Sequence, residues 1–408
     1  MLLSGSVYLA VYSSPRNAYT PVVVFLFSMT VMVVNHFYVQ WDADRVSAMD
    51  HTAPMMIIVM KITSFSWSVL DANRLESLTE AQRKAAITKF PSLVEFMGFI
   101  NFFPCFLIGP NFSFMDYRNF IEQVGDFKEI PHTLAPAINC VSSAIIPAIV
   151  SFRLSPLFSF DRLRDKGFVA DKPLLYIFGY LQISAITARC MYYMGWKIAE
   201  AACVYAGLGF NGRDNHGAFV WNRTENCNVL AIEFAENTRS FLAEWNKNTS
   251  AWLKDYVYLR LINNGVSPSL STAATSITSA VWHGVCFGYY LSFLFLAFTT
   301  TIARHMRRNV RPWFASQNSR LHSLKRLYDM MGTLATQVSL SYVMIAFQAK
   351  TYTRCLESYA PFDFIGHIFI LVLLTGFEFG PFGVICRKIG QSIGAEYNRE
   401  RTDAKKEN

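Results

Sequence analysis

Charge is scarce in this chain. Asp, Glu, Lys and Arg make up only 16% of its 408 residues, where soluble domains carry about 25%. That shortfall argues against a water-soluble globule, and 35 phenylalanines among 52% apolar residues would overfill a soluble core. Strand-like alternation is missing too: the apolar runs are continuous, and many reach the roughly 20 residues that cross a bilayer. There is no tandem repeat, low-complexity segment or Gly-rich phosphate loop. The eight cysteines show no Cys-x-x-Cys spacing. Most sit inside apolar runs, as Cys105, Cys140, Cys203 and Cys286 do, so neither a disulfide framework nor a metal site is expected. The first residues, Met1 to Ala10, lack a basic n-region, so no cleaved signal peptide is expected. No basic face on a soluble fold is visible, which argues against a nucleic-acid partner; a net charge of +8 instead suits cytoplasmic loops of a membrane protein.

What is present is a series of apolar segments. Pro21–Val39, Ala53–Leu70, Leu93–Ile108, Leu134–Val150, Met330–Phe347 and Phe364–Ile385 each read as a crossing. Leu174–Gly209 and Pro268–Ile302 are each too long for one pass and short for two, so one or both are doubled or re-entrant. Loops alternate in sign. Asp42, Asp44 and Asp50 outweigh Arg45, and Asp116, Glu122, Asp126 and Glu129 mark a second acidic loop. Arg74–Lys89, Arg153–Lys172 and Arg304–Arg326 are basic and belong in the cytosol by the positive-inside rule. The expected fold is all-α: a polytopic integral membrane protein of about ten transmembrane or re-entrant helices. A single membrane domain spans residues 1–386, a charged cytosolic tail spans 387–408, and both termini are cytosolic. Arg189, Lys197 and Glu200 lie within Leu174–Gly209, where they either line an interior cavity or snorkel from helix ends.

Two stretches carry candidate chemistry. His283, between Trp282 and Gly284, is the one histidine centred in an apolar run. A buried imidazole must be hydrogen-bonded, and intramembrane ionisable groups are usually functional. Upstream, Trp245, Thr249, Trp252 and Tyr256 recur at four, three and four residues, one face of a helix from Glu244. Asn246 lies beside that face, with Lys247 and Lys254 pointing elsewhere. An interfacial helix anchored by aromatics accounts for Trp245 and Trp252 but not for Asn246.

Trp245-Asn246-Lys247-Asn248-Thr249 with Trp252-Leu253 and Tyr256-Val257-Tyr258-Leu259-Arg260, followed by Ser279-Ala280-Val281-Trp282-His283-Gly284 and Gly288-Tyr289-Tyr290, resembles the membrane-bound O-acyltransferases, most closely their lysophospholipid branch. Phe103-Pro104, Gly109-Pro110 and Asp116-Tyr117 are similar to an early stretch of that family. So is the set Arg189, Tyr192, Tyr193, Trp196 and Glu200 with Gly207-Leu208-Gly209-Phe210. The chain has less sequence before its first helices than the family often carries.

The resemblance implies acyl transfer from acyl-CoA to the free glycerol hydroxyl of a lysophospholipid in the endoplasmic reticulum membrane. It implies His283 as general base and Asn246 as the second catalytic position. Trp245, Lys247, Thr249, Lys254, Trp252, Tyr256 and Trp282 are the expected substrate contacts, with Lys247 and Lys254 either meeting CoA phosphates or only satisfying the charge rule. No cofactor is expected, since acyl-CoA is a co-substrate, and Cys286 is expected to be packing. A sterol, another lipid alcohol or a protein remains open as acceptor. A lipid transporter or scramblase remains open as another class, although paired inverted repeats are absent. Lys405 and Lys406 resemble a dilysine retrieval signal.

Overall fold

The computed structural model describes residues 1–41 and 51–397. The acidic stretch from Asp42 to Asp50 and the Lys405-Lys406 pair lie outside these residues. In chain order the helices are α1 (Leu2–Ser13), α2 (Thr20–Trp41), α3 (Thr52–Asp71), α4 (Glu80–Ala85), α5 (Leu93–Ile100), α6 (Phe114–Ile121), α7 (Leu134–Leu154), α8 (Lys166–Val169), α9 (Leu174–Ala206) and α10 (Val229–Glu233). They continue as α11 (Thr238–Glu244), α12 (Lys247–Leu253), α13 (Leu259–Asn263), α14 (Pro268–His283), α15 (Phe287–Asn309), α16 (Pro312–Ala315), α17 (Lys325–Ala349), α18 (Tyr352–Tyr359), α19 (Ile365–Glu378) and α20 (Phe382–Ser392). Among the described residues the one β-type pairing is an isolated bridge between Arg213 and Phe219. An all-helical chain is what the bilayer demands, because a helix satisfies its own backbone polar groups.

Five helical stretches are long and apolar enough to cross a membrane: Thr20–Gln40, Thr52–Asp71, Leu134–Leu154, Leu174–Ala206 and His322–Ala349. The bent pair Tyr352–Phe362 and Ile365–Glu378 makes a sixth if it is one span. Its 88° bend falls where Asp363 and Phe364 both take positive φ, 47° and 54°, which no helix interior tolerates. Three stretches differ from the sequence expectation. Leu93–Ile108 is not one crossing: α5 ends at Ile100, and a 3₁₀ turn at Phe103–Cys105 carries Pro104. Leu174–Gly209 is not doubled: α9 runs unbroken for 33 residues. Phe364–Ile385 is interrupted between Glu378 and Phe382. Two crossings that the loop-charge alternation relied on are therefore absent as such. Pro268–Ile302 is broken near its middle, between His283 and Phe287.

The chain divides into two compact units. One comprises residues 1–158, 186–229 and 243–290, and the other residues 159–185, 230–242 and 291–408. In the first unit α3 is the central helix: 67% of its apolar window is buried, against 22% for α7. One side of α3 packs on an aromatic cluster, with Phe65 4.7 Å from Phe96 and Phe99 5.4 Å from Phe114 between ring centroids. α3 also buries Lys61, Thr63, Ser64, Ser66, Ser68 and Asp71, an unusually polar set for a spanning helix. Lys61 is fully buried. Its Nζ donates to the carbonyls of Phe99 (2.7 Å) and Ile100 (3.4 Å), the C-terminal end of α5, where a cation complements the helix dipole. In the second unit Tyr342 and Tyr359 tie α17 to α18 and α19: the Tyr342 hydroxyl meets His367 Nδ1 at 2.6 Å, and the Tyr359 hydroxyl donates to the Tyr342 carbonyl at 3.1 Å.

Candidate active site

Every residue singled out as a site candidate falls in the first unit. The expected helix from Glu244 is broken: α11 ends at Glu244, Asn246 takes left-handed φ 46° and ψ 54°, and α12 begins at Lys247. Trp245 therefore leaves the face it was expected to share. Its ring sits edge-on among Tyr192 (5.8 Å), Tyr193 (5.7 Å) and Trp196 (5.0 Å) of α9. Thr249, Trp252 and Tyr256 do share a side, and it faces α3. Thr249 Oγ1 lies 3.6 Å from Met60 Sδ, Trp252 Nε1 donates to Thr63 Oγ1 at 3.0 Å, and the Tyr256 hydroxyl is 3.3 Å from Ser68 Oγ. A π-turn at Lys254–Tyr258 joins α12 to α13. Beyond it, Arg260 grips the buried Asp71 carboxylate with both guanidinium nitrogens, at 2.7 and 2.6 Å.

These contacts make α3 a ruler. Partners climb from Met60 through Thr63 and Ser68 to Asp71 as the motif climbs from Thr249 to Arg260, so the two segments run parallel. Asn246 lies one turn before Thr249, toward the Thr52 end of α3. After the loop at Asn264–Ser267, α14 returns for 16 residues, about 24 Å. Its end is fixed where Trp282 Nε1 donates to the Met56 carbonyl at 3.1 Å and the Trp282 ring packs 6.2 Å from Trp252. The hairpin thus brings His283 back to the end of α3 toward which Asn246 projects.

His283 is the last residue of α14. Its ring lies edge-on to Trp282 at 4.8 Å and 6.1 Å from Tyr289. Gly284, at φ 133° and ψ −176°, ends the helix in a backbone region essentially restricted to glycine; a Cβ there would stand 3.1 Å from the Tyr289 ring. Asn246 stands at the N-cap of α12, where an asparagine normally caps the helix, yet its side chain makes no capping bond. The helix start is braced by other residues. Asn226 accepts from the backbone N–H groups of Lys247 (2.9 Å) and Asn248 (3.3 Å), and the Asn248 amide donates to Asn226 and Glu225. The Lys247 ammonium pairs with Glu225 at 2.8 Å and Glu244 at 2.6 Å, while Lys254 is exposed.

Sequence reasoning missed this brace: Asn226 and Glu225 lie in the polar stretch Asn211–Asn228, rich in Gly and Asn, which reads as no more than a loop. Arg223 orders that loop by pairing with Asp116 (2.9 Å) and Asp126 (2.7 Å). It also passed over Lys61, which a charged residue in the middle of an apolar run should have signalled. Arg189, Lys197 and Glu200 do not snorkel. All three are buried, and Lys197 pairs with Glu200 at 2.9 Å.

A cavity of about 400 Å³ opens beside α12. Asn248, Trp252, Asp255 and Tyr256 line it from the motif; Gln82 and Lys84 of α4, Asn111, Asp116 and Arg223 complete its polar wall. Neither Asn246 nor His283 lines it. Trp252 is the element common to the cavity and to the Trp282 contact. Asn111 buries a side-chain oxygen that has no hydrogen-bond partner among the described residues.

The profile of the membrane-bound O-acyltransferase family matches residues 36–345. The chain is 37% identical to a lysophospholipid acyltransferase of Schizosaccharomyces pombe, over 81% of this chain and 67% of that protein. It is 30% identical to a lysophospholipid acyltransferase of Saccharomyces cerevisiae, over 90% of this chain and 63% of the relative. With the human membrane-bound glycerophospholipid O-acyltransferase 2 it shares 34% identity, over 85% and 68%. The chain thus spans about two thirds of the length of these relatives. It belongs to the membrane-bound O-acyltransferase family.

Proposed function

We propose that this chain transfers a fatty acyl group from acyl-CoA to the free glycerol hydroxyl of a lysophospholipid. The observation that carries the proposal is the α12–α14 hairpin, which returns His283 to the level of Asn246 along α3. The names of the relatives support the acceptor class. A His283 ring nitrogen takes the proton from the acceptor hydroxyl as that oxygen attacks the thioester carbonyl. General-base help of this sort is worth about 10²–10⁴-fold. The Asn246 amide, unused in capping, donates to the oxyanion of the tetrahedral intermediate, and loss of such a donor costs about 2.7–4 kcal/mol. Collapse breaks the carbon–sulfur bond and releases CoA thiolate, which recovers the proton from His283. The surrounding apolar and aromatic side chains keep out the water that would hydrolyse the thioester.

The donor enters by the cavity beside α12. Its wall is rich in side-chain amides and hydroxyls, from Gln82, Asn111, Asn119 and Asn248 and from Ser64, Ser113 and Tyr256, which suit the amides of the pantetheine arm. Ser64, on the cavity wall, is eight residues along α3 from Met56, so the thioester travels about 12 Å deeper to reach His283. Lys84 on the wall, with exposed Lys254 nearby, supplies positive charge for the nucleotide phosphates, whereas Arg223 is already paired with Asp116 and Asp126. We place this mouth on the cytosolic side, because Lys84 belongs to the basic stretch Arg74–Lys89. Lys247 is already engaged by two carboxylates and serves to brace the motif. The test is purified protein with labelled acyl-CoA and a panel of lysophospholipids, sterols, other lipid alcohols and peptides. Ester formation on lysophospholipids supports the proposal; transfer only to another acceptor, or lipid movement without ester formation, refutes it.

A further inference from the structure

The break after His283 exposes a problem that a residue outside both motifs solves. The last carbonyls of a helix have no intrahelical partner. Gly284 N–H donates to the carbonyls of Ala280 and Val281, but the chain then leaves the helix. The carbonyl of Trp282 is met instead by His36 of α2, whose Nε2 lies 3.2 Å away. His36 is buried, and its ring lies against the break: a Cβ on Gly284 would stand 3.6 Å from His36 Cγ and Nδ1. A carbonyl only accepts, so Nε2 carries a proton and is the donor. One turn further along α2, Gln40 Nε2 donates to Cys286 Sγ at 2.7 Å, a second tether from the same helix to the same break.

We propose that His36 is a positioning residue for acyl transfer: by donating Nε2–H to the Trp282 carbonyl it fixes the peptide that carries His283 and so aims the His283 ring. This rests on the general-base role of His283 given above. The bond holds the plane of the Trp282–His283 peptide, and rotation of that plane swings the His283 side chain about its own backbone. The Trp282 ring cannot do this alone, because its anchor at the Met56 carbonyl acts on the side chain and leaves the carbonyl free to turn. His36 touches no reacting atom in this account. Its contribution appears in turnover, since it improves the placement of the base without forming part of either substrate site.

The experiment compares detergent-purified His36→Leu, His36→Asn and His36→Gln with the parent. Glutamine places an amide N–H near the position of imidazole Nε2; asparagine falls one carbon short; leucine keeps bulk without a donor. We expect kcat to fall on the order of 10–10²-fold in His36→Leu and His36→Asn, the scale of a misplaced catalytic group, with KM for both substrates little changed. His36→Gln should recover most of the loss. If His36→Leu does not fold, the Gln and Asn pair still decides. Unchanged kcat in a folded Leu or Asn variant, or equal losses in Gln and Asn, overturns the proposal. A second arm separates it from the role of His283. In a His283→Ala background the His36→Leu change should add nothing to the loss, because one residue acts through the other. Equal fold-losses in both backgrounds overturn positioning while leaving His283 as base, whereas parent-like turnover of His283→Ala removes the base itself.

Discussion

At the residue scale Asn246 is held in a conformation it has no local reason to adopt. Asparagine tolerates the left-handed region better than most residues, and the cost is met by anchors on either side: the Trp245 ring within α9 and the Asn226 brace on Lys247 and Asn248. This makes the usual alanine test ambiguous, because alanine adds backbone strain of about 1–2 kcal/mol. Glycine removes the amide while accepting the same φ. We expect Asn246→Gly to keep the melting temperature close to the parent's and to lose turnover by on the order of 10²–10³-fold, with little change in KM. A loss confined to KM would make Asn246 a substrate-holding residue instead. The sequence showed Asn246 and His283 as candidates, because an amide beside aromatics and a histidine in an apolar run are both anomalies. His36 was not legible as a partner: it bonds across 246 positions, and nothing in its own surroundings distinguishes it.

At the element scale the hairpin of α12, α13 and α14 is pinned to α3 at both ends. At the far end the pin is Arg260 on Asp71, with side chains 12% and 3% exposed. Removing one partner strands a buried charge, and we expect Arg260→Met to cost about 3–5 kcal/mol, visible as a lower unfolding midpoint in detergent. At the near end, Gly284→Ala should lower both stability and turnover. The new methyl strains the backbone by about 1–3 kcal/mol and meets Tyr289 beside the His283 ring. A fully active, equally stable Gly284→Ala protein would show that the helix break does not place the base.

Legibility divides along the same line. Pro21–Val39 and Ala53–Leu70 match α2 and α3 to within two residues at each end, because continuous apolar runs define spanning helices. An interruption within Pro268–Ile302 was legible from its length, and a helix break falls between His283 and Phe287. The unbroken 33 residues of α9 were not, because a stretch of that length exceeds one ordinary pass and its charged residues, including the buried Lys197–Glu200 pair, do not reveal in sequence that they are satisfied inside one continuous helix. The start of α12 was hidden too: the spacing from Trp245 to Tyr256 fits a helix, and only the distant Asn226 sets the break at Asn246.

At the scale of the whole molecule, the proposed donor entry and the proposed chemistry occupy two levels of one central helix. The cavity sits by Ser64 and the hairpin end by Met56. Lys84 is exposed and paired with Glu80 on its own helix, so its reversal disturbs little structure. We expect Lys84→Glu to raise KM for acyl-CoA several-fold with kcat unchanged, and the parent's KM for acyl-CoA to rise with salt, as a screened surface attraction does. A KM insensitive to both would place the nucleotide elsewhere.

The central claim is that His283 is the base. Its direct test is single-turnover acyl transfer by purified His283→Ala, with acyl-CoA binding measured on the same sample. The account predicts retained donor binding and transfer slowed by about 10²–10⁴-fold; transfer at the parent rate in a folded, donor-binding His283→Ala protein would contradict it.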